Sequence, residues 1–463
     1  MMEGIGKEAF RSLVKDARAK RNVTKAALES YQGNEGFEGY ATDTIFDSVS
    51  RSERFPLGGV DTEYSIQEQI RPAFGKSAVN TSAIGAHPDF RHLAGTSMTD
   101  RHHVCSLFLD IKNSTRLSFL YDLDDVYWIK NLILRVASET VRAMDGHVHR
   151  FMGDALLAFF GSKSVLRDDS VVNAINCASV LQATMERTII PVLGEEGFDA
   201  REIGFRVGLD YGSDQQVLWS SYGFSSVFEV TATSFYVDVA AKLQSMARKN
   251  AVMLGSNILE VMDFPEIFVQ KKRVLENNEW KEIDTLNKTY IDRQGVQHKY
   301  RVRELKADFY RDLLPFPAEF KAKFSNTRVV SCDGIELKCY TTGNDASHYY
   351  PSVSRVLEKE QSLDFRVTID KRVYGSASFP LKVVFTKRNH GVEAKRDKSE
   401  GEFPVLDEEV IVEQKSWYQG FFAGRTVRAS EGTRYRGLHT MEVKVFDSER
   451  SVIFRDFIGV YIR

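Results

Sequence analysis

Two stretches restrict what the first half of this chain can fold into. The run Val104-Cys105-Ser106-Leu107-Phe108-Leu109 is apolar and ends on Asp110, while His147 to Met152 and the apolar Ala155 to Phe160 flank Gly153-Asp154. A short apolar run reads as a buried strand, and two arms around Gly-Asp read as a β-hairpin. Between them Val126, Ile129, Ile133, Leu134, Ala137 and Val141 recur at helical spacing up to Asp145-Gly146. A strand, a helix and a hairpin in that order pack in few ways, with the helix covering a sheet that the hairpin extends. If the strands lie side by side, Asp110 and Asp154 converge although 44 positions separate them.

Alternation of strands and helices continues to about residue 262. A helix is expected after Ser114 and Thr115, and another from Ser170 to Ile189, stopped by Pro191. Strands are expected near 203–209, 217–219 and 252–254, with a helix over 237–248 between the last two. The fold class is therefore α+β, a sandwich of mixed sheet and helices over residues 102–262. Residues 1–101 read as a basic amphipathic helix and an extended arm that could pack on a partner subunit. Residues 263–317 read as a connecting segment with a strand near Tyr300 to Leu305, and Pro315 and Pro317 mark its end. From 318 to 463, short alternating segments recur between turns at 327–330, 336–340, 364–369, 381–385, 409–412, 440–446 and 452–460. They predict an all-β sandwich with a regulatory or sensor role.

Composition narrows the function classes. A formal net charge of -2 gives no basic field for nucleic acid. No apolar run approaches the roughly 18 residues of a membrane span. The opening Met1-Met2-Glu3-Gly4-Ile5-Gly6-Lys7-Glu8 has no signal core, so a cytoplasmic protein is expected, with Cys105, Cys177, Cys332 and Cys339 reduced.

Paired carboxylates at a strand end suit hard divalent cations, which could in turn hold a nucleoside triphosphate. Asp110 and Asp154 would be the ligands, with the Ile111 carbonyl beside them. The turn Asn113-Ser114-Thr115 enters a helix and offers backbone N–H groups to phosphates. Each feature alone has a plainer reading, since an Asp after a strand often caps a helix and Gly-Asp is a common turn. His147 and His149 alternate along the hairpin strand and read as ordinary strand residues.

Taken together, Phe108-Leu109-Asp110-Ile111-Lys112-Asn113-Ser114-Thr115, Arg150-Phe151-Met152-Gly153-Asp154-Ala155-Leu156-Leu157-Ala158-Phe159-Phe160-Gly161 and Arg206-Val207-Gly208-Leu209-Asp210-Tyr211-Gly212 resemble the class III nucleotidyl cyclases. A fourth element, Val237-Asp238-Val239-Ala240-Ala241-Lys242-Leu243, resembles the helix that carries that family's transition-state residues. The resemblance implies two metals, Mn2+ or Mg2+, on Asp110 and Asp154. It also implies a head-to-tail homodimer with active sites at the subunit interface.

The chain departs from the family at four positions. Asp238 and Lys242 stand where Asn and Arg are usual; Lys242 keeps the positive charge without the bidentate fork, and Asp238 could touch ribose or pair with Lys242. Arg150 stands four residues before Asp154, where purine cyclases have Lys or Glu, and Thr231 replaces an Asp seven residues before Asp238. Arg150 and Thr231 are expected to face the base, with the longer Arg filling space a purine would need. With the C-terminal sandwich, these features resemble the bacterial Pycsar pyrimidine cyclases, which carry an AGS-C sensor-like domain. That resemblance implies a cyclase making cyclic UMP from UTP, with cyclic CMP from CTP as the alternative. It further implies a second messenger in antiphage defence, acting on a separate effector protein. A purine cyclase and a non-catalytic nucleotide-binding or dimerisation module are the remaining alternatives.

Overall fold

The computed structural model describes residues 7–15, 64–224, 227–343, 346–375, 377–405, 410–412 and 425–463. Most of the N-terminal arm lies outside them. Of its described parts, residues 7–15 are helical, and the short helix Ser65–Ile70 packs on the chain's own α+β domain. There Gln67 donates to Glu139 at 2.9 Å, and Arg71 and Lys76 pair with Asp145 at 2.6 and 2.7 Å.

The strands expected around Asp110 are the middle of a mixed sheet. In chain order its domain contains β1 (Thr99–Arg101), β2 (Val104–Lys112), α1 (Ser114–Leu120), α2 (Leu123–Ala143), β3 (His147–Met152), β4 (Ala155–Phe160) and α3 (Arg167–Thr184). Then follow β5 (Gly204–Gly212), β6 (Leu218–Phe224), β7 (Val227–Thr233), α4 (Phe235–Met246), β8 (Ala251–Gly255), β9 (Thr285–Ile291) and β10 (Gln297–Leu305). The sheet order is β9-β10-β8-β5-β2-β4-β3, with residues 269–270 also against β10. Strands β1, β6 and β7 form a separate three-stranded sheet.

Strand β2 alternates two environments. Cys105, Leu107, Leu109 and Ile111 enter the core with α2 and α3, while Val104 and Phe108 join a cluster with Phe159, Trp219, Val230 and Val237. Asp110 shares the second face by parity. Helix α4 runs along that face over β5. A Cβ on Gly208 would lie 2.2 Å from the Ala240 carbonyl oxygen, so only glycine permits this approach.

Two local expectations change. Pro191 does not stop the helix after α3. Residues 185–189 form a π-helical stretch and a new helix starts at Ile190, so Pro191 falls in a first turn where its missing N–H costs nothing. The segment expected to connect the domains also contributes to the sheet, since β10 pairs with β8 from Val302↔Gly255 to Glu304↔Met253.

The C-terminal region is a β-sandwich. One sheet orders β12 (Ser347–Tyr350), β11 (Ile335–Thr342), β13 (Ser362–Ile369) and β16 (Arg425–Gly432). The other orders β18 (Val452–Ile462), β17 (Gly437–Phe446), β14 (Leu381–Asn389) and β15 (Gly401–Pro404), with residues 356–357 and 410–412 paired to β18 and β14. Alternate residues such as Leu337, Cys339, Phe365, Val367, Val383, Val443 and Phe454 fill the space between the sheets. Residues 327–330, expected as a strand, contribute a single bridge, Val330↔Arg455. Strand β16 went unforeseen.

Helix α3 is buried on nearly every side because it lies between the two halves. Asn176 donates to the Val353 carbonyl at 2.7 Å and accepts from the Tyr310 hydroxyl at 2.9 Å. The Val356 N–H donates to Asp169 at 2.7 Å. Val353, Leu438, Phe457 and Tyr461 of the sandwich sit in one continuous core with α3. None of the four cysteines forms a disulfide. No helix among the described residues is long and apolar enough to cross a membrane.

Candidate active site

Antiparallel pairing of β2 with β4 sets Asp110 opposite Ala155, one residue from Asp154. The hairpin turn between β3 and β4 uses Gly153 at φ +66°, and the Ile111 N–H donates to the Asp154 carbonyl at 3.2 Å. Asp110, Ile111 and Asp154 therefore meet at one end of the sheet. The Ile111 carbonyl leaves β2 on the same side as its N–H, toward the hairpin.

Both carboxylates are held by donors. Arg206, opposite Asp110 in the β2–β5 register, donates Nε to Oδ1 at 2.7 Å and Nη2 to Oδ2. The Ser114 hydroxyl donates to Asp154, and the Lys130 ammonium lies 4.0 Å from the same carboxylate. The bond with Asp110 holds the Arg206 guanidinium in its charged form. The acceptors that meet here are all oxygens, the kind of ligand that hard divalent cations take.

The expected phosphate turn is formed but its side chains are engaged. Asn113 adopts the left-handed conformation at φ +64° and donates to the Glu202 carbonyl at 3.0 Å, while Ser114 is bound to Asp154. Thr115 is exposed at the start of α1.

Asp238 and Lys242 lie on the exposed face of α4. No ion pair links them among the described residues. Lys242 donates instead to the Tyr290 hydroxyl of β9 at 3.0 Å, its ammonium 5.3 Å from the ring centre. Neither residue has a hydrogen bond or ion pair to Asp110 or Asp154 among the described residues, so the two groups stand apart within one chain.

A register shift between Val148 and Arg150 marks a bulge in β3, and Arg150 pairs with Glu229 of β7. Thr231 lies two residues further along β7, on the same partly exposed face as Glu229. His147 and His149 both reach the Gly85 carbonyl, at 2.8 and 3.1 Å, in keeping with strand residues that fasten a loop. A group of potential metal ligands, His102, His103 and Asp214, occurs at the other end of β2, beside Gly212.

Residue-level reading of the sequence missed Arg206 and Glu229. Arg206 stands in one of the quoted motifs, but only the β2–β5 register reveals its partner. Glu229 was hidden because β7 itself was not foreseen.

Behind the site, Asp210 is fully buried under Gly255, accepting from the Tyr300 hydroxyl at 2.6 Å and the Tyr211 N–H at 2.9 Å. Burial pushes its carboxyl up from 3.8 to about 8. The folded chain thus binds a proton that the unfolded chain releases, and this contribution, full below pH 3.8, is lost as pH rises toward about 8. Urea unfolding across pH 5 to 8 is expected to show stability falling by up to about 1.4 kcal/mol per unit relative to Asp210→Asn. Parallel pH profiles for the two proteins would contradict this.

Comparison with known proteins gives three results. Residues 315–463 match the family model described as the adenylyl/guanylyl and SMODS C-terminal sensor domain. A protein of Escherichia coli named cytidylate cyclase is 35% identical over 457 residues, covering 97% of this chain and 99% of its own. Its namesake from Staphylococcus aureus is 32% identical over 398 residues, covering 85% and 87%. Among solved structures, the adenylyl cyclase CyaB of P. aeruginosa aligns at TM-score 0.36 and 16% identity over 45% of this chain and 95% of its own. The guanylyl cyclase Cya2 aligns at TM-score 0.34 and 18% identity, over 44% and 92%.

Proposed function

As the chain belongs to the class III nucleotidyl cyclases that carry a C-terminal AGS-C domain, we propose that it converts CTP to 3′,5′-cyclic CMP and pyrophosphate. The observation that carries this reading is the meeting of Asp110, Ile111 and Asp154 at one sheet end, in a chain whose full-length relatives are named cytidylate cyclases. Reading Arg150 as a lone donor favours UTP; the relatives' names support the other pyrimidine.

In the reaction the 3′-oxygen attacks the α-phosphorus, the bond to pyrophosphate breaks and the 3′-hydroxyl proton leaves to solvent. Two Mn2+ or Mg2+ ions on Asp110, Asp154 and the Ile111 carbonyl would acidify the 3′-hydroxyl and anchor the triphosphate. Arg206 and Ser114 hold the two carboxylates in place. Lys242 neutralises charge growing on the α-phosphoryl oxygens. Asp238 faces the ribose, Arg150 and Thr231 face the base, and the N–H groups of Asn113 to Thr115 face the phosphates.

Because Asp238 and Lys242 stand apart from Asp110 and Asp154 within one chain, the enzyme is a homodimer that joins one chain's Asp110 and Asp154 to its partner's α4. Exposed apolar side chains near each half support this: Phe119, Leu123 and Tyr127 on α1 and α2, and Tyr222, Phe224 and Phe228 on β6 and β7. We place the enzyme in the cytoplasm. Its product serves as a second messenger in antiphage defence and acts on a separate effector protein, without nucleic-acid or membrane partners.

The test is incubation of the purified protein with Mn2+ and each of ATP, GTP, CTP and UTP, with products identified by mass spectrometry. Cyclic CMP as the main product, lost in Asp154→Ala, is the expected result. Cyclic UMP would restore the other pyrimidine, and a cyclic purine would overturn the pyrimidine reading.

A further inference from the structure

Glu229 lies two residues from Thr231 and holds the residue expected to read the base. One of its carboxylate oxygens pairs with Arg150 and the other lies 2.9 Å from His149 Nε2. The His149 ring is fully buried, with Nε2 toward the carboxylate and Nδ1 at 3.1 Å from the Gly85 carbonyl; burial keeps the ring neutral, so its single N–H donates to one of these two acceptors. Glu229 keeps 41% of its side chain exposed and Arg150 keeps 39%. A carboxylate has about four acceptor positions and a guanidinium five donors, so both retain hydrogen-bonding capacity beyond this pair. Among the described residues, Arg150 has Glu229 and His149 as its polar partners.

The base site thus presents an acceptor next to a donor. Cytosine carries an amino donor at position 4 beside the N3 acceptor, whereas uracil carries a carbonyl at 4 beside an N3–H donor. An ionised carboxylate can only accept. Facing cytosine it gains the N4–H bond; facing the uracil 4-carbonyl it sets lone pair against lone pair.

We propose that Glu229 determines specificity, accepting a hydrogen bond from the 4-amino group of the pyrimidine while Arg150 donates to N3 or O2. This deepens the function proposed above and rests on it. Adenine presents the same amino-beside-acceptor pattern on a larger ring, so Glu229 sets the choice of amino over carbonyl and not the ring size.

The test compares kcat/KM for CTP, UTP and the triphosphate of the 2-pyrimidinone riboside, which lacks the 4-amino group. The wild-type enzyme is expected to favour CTP over both others by about tenfold or more, because the carboxylate can only accept and neither of the others offers it a donor at position 4. Glu229→Gln, whose amide can accept or donate, is expected to bring the CTP/UTP ratio within about threefold. Glu229→Asp is expected to keep the preference at lower rate. If Glu229 merely braces Arg150, Glu229→Gln slows all three substrates equally and leaves the ratios intact, which overturns the proposal. Equal wild-type use of CTP and the 2-pyrimidinone analogue overturns it without any variant, as does a wild-type preference for UTP; in both cases the cyclase reading stands. Wild-type protein that makes no cyclic pyrimidine nucleotide removes both.

Discussion

Asp154→Ala is expected to lower cyclic nucleotide formation by about a thousandfold or more while leaving the fold intact. The carboxylate lies at a hairpin turn, where its partners are the Ser114 hydroxyl and the distant Lys130 ammonium. Removing it takes away a ligand of the proposed cation site and so several kcal/mol of charge stabilisation in the transition state. Asp110→Ala should be equally inactive but also less stable, because it strands the Arg206 guanidinium, whose side chain is 27% exposed. A half-buried charge left without its partner costs on the order of 1–3 kcal/mol. Thermal unfolding of the two variants side by side separates these effects. Residual activity above a few per cent in Asp154→Ala would exclude the hairpin carboxylate as a ligand.

The second large effect comes from mixing two dead enzymes. Asp154→Ala and Lys242→Ala should each be inactive alone, the second because charge on the α-phosphate goes unanswered. In a head-to-tail dimer each active site takes one residue from each chain. Half of a randomised mixture is heterodimer, and each heterodimer has one intact site and one doubly defective site. Denaturing and refolding the mixture, or coexpressing the two chains, should recover about a quarter of wild-type activity. A mixture as inactive as its components would mean that Asp154 and Lys242 act from the same chain.

Much of this architecture is legible in the sequence because the apolar patterns are strong. Strand β2, helix α2 and the β3–β4 hairpin follow from runs and spacings that few other folds satisfy, and they bring Asp110 and Asp154 together. What stayed hidden depends on partners far away in the chain. Arg206 becomes informative only once β5 lies against β2 with Asp110 opposite it. Glu229 belongs to a strand, β7, whose exposed positions blur the alternation that would reveal it. The bulge in β3 lies just before Arg150 and lets the neighbours His149 and Arg150 both reach Glu229 of β7, a pairing that strict alternation would not suggest. Pro191 misled because a proline rule cannot anticipate a π-helical stretch just before it.

Helix α3 has a consequence for how such a protein could change over time. Because Asn176 and Asp169 hydrogen-bond to the backbone of the sandwich, and Tyr310 bridges Asn176 to Tyr461, neither half ends at a cuttable linker. Trimming the chain before residue 318 would open a cavity along α3 and leave Asn176 facing solvent with half its partners gone. Exchanging the C-terminal region as a cassette would break these bonds, and substitutions on one side of the seam favour compensating changes on the other.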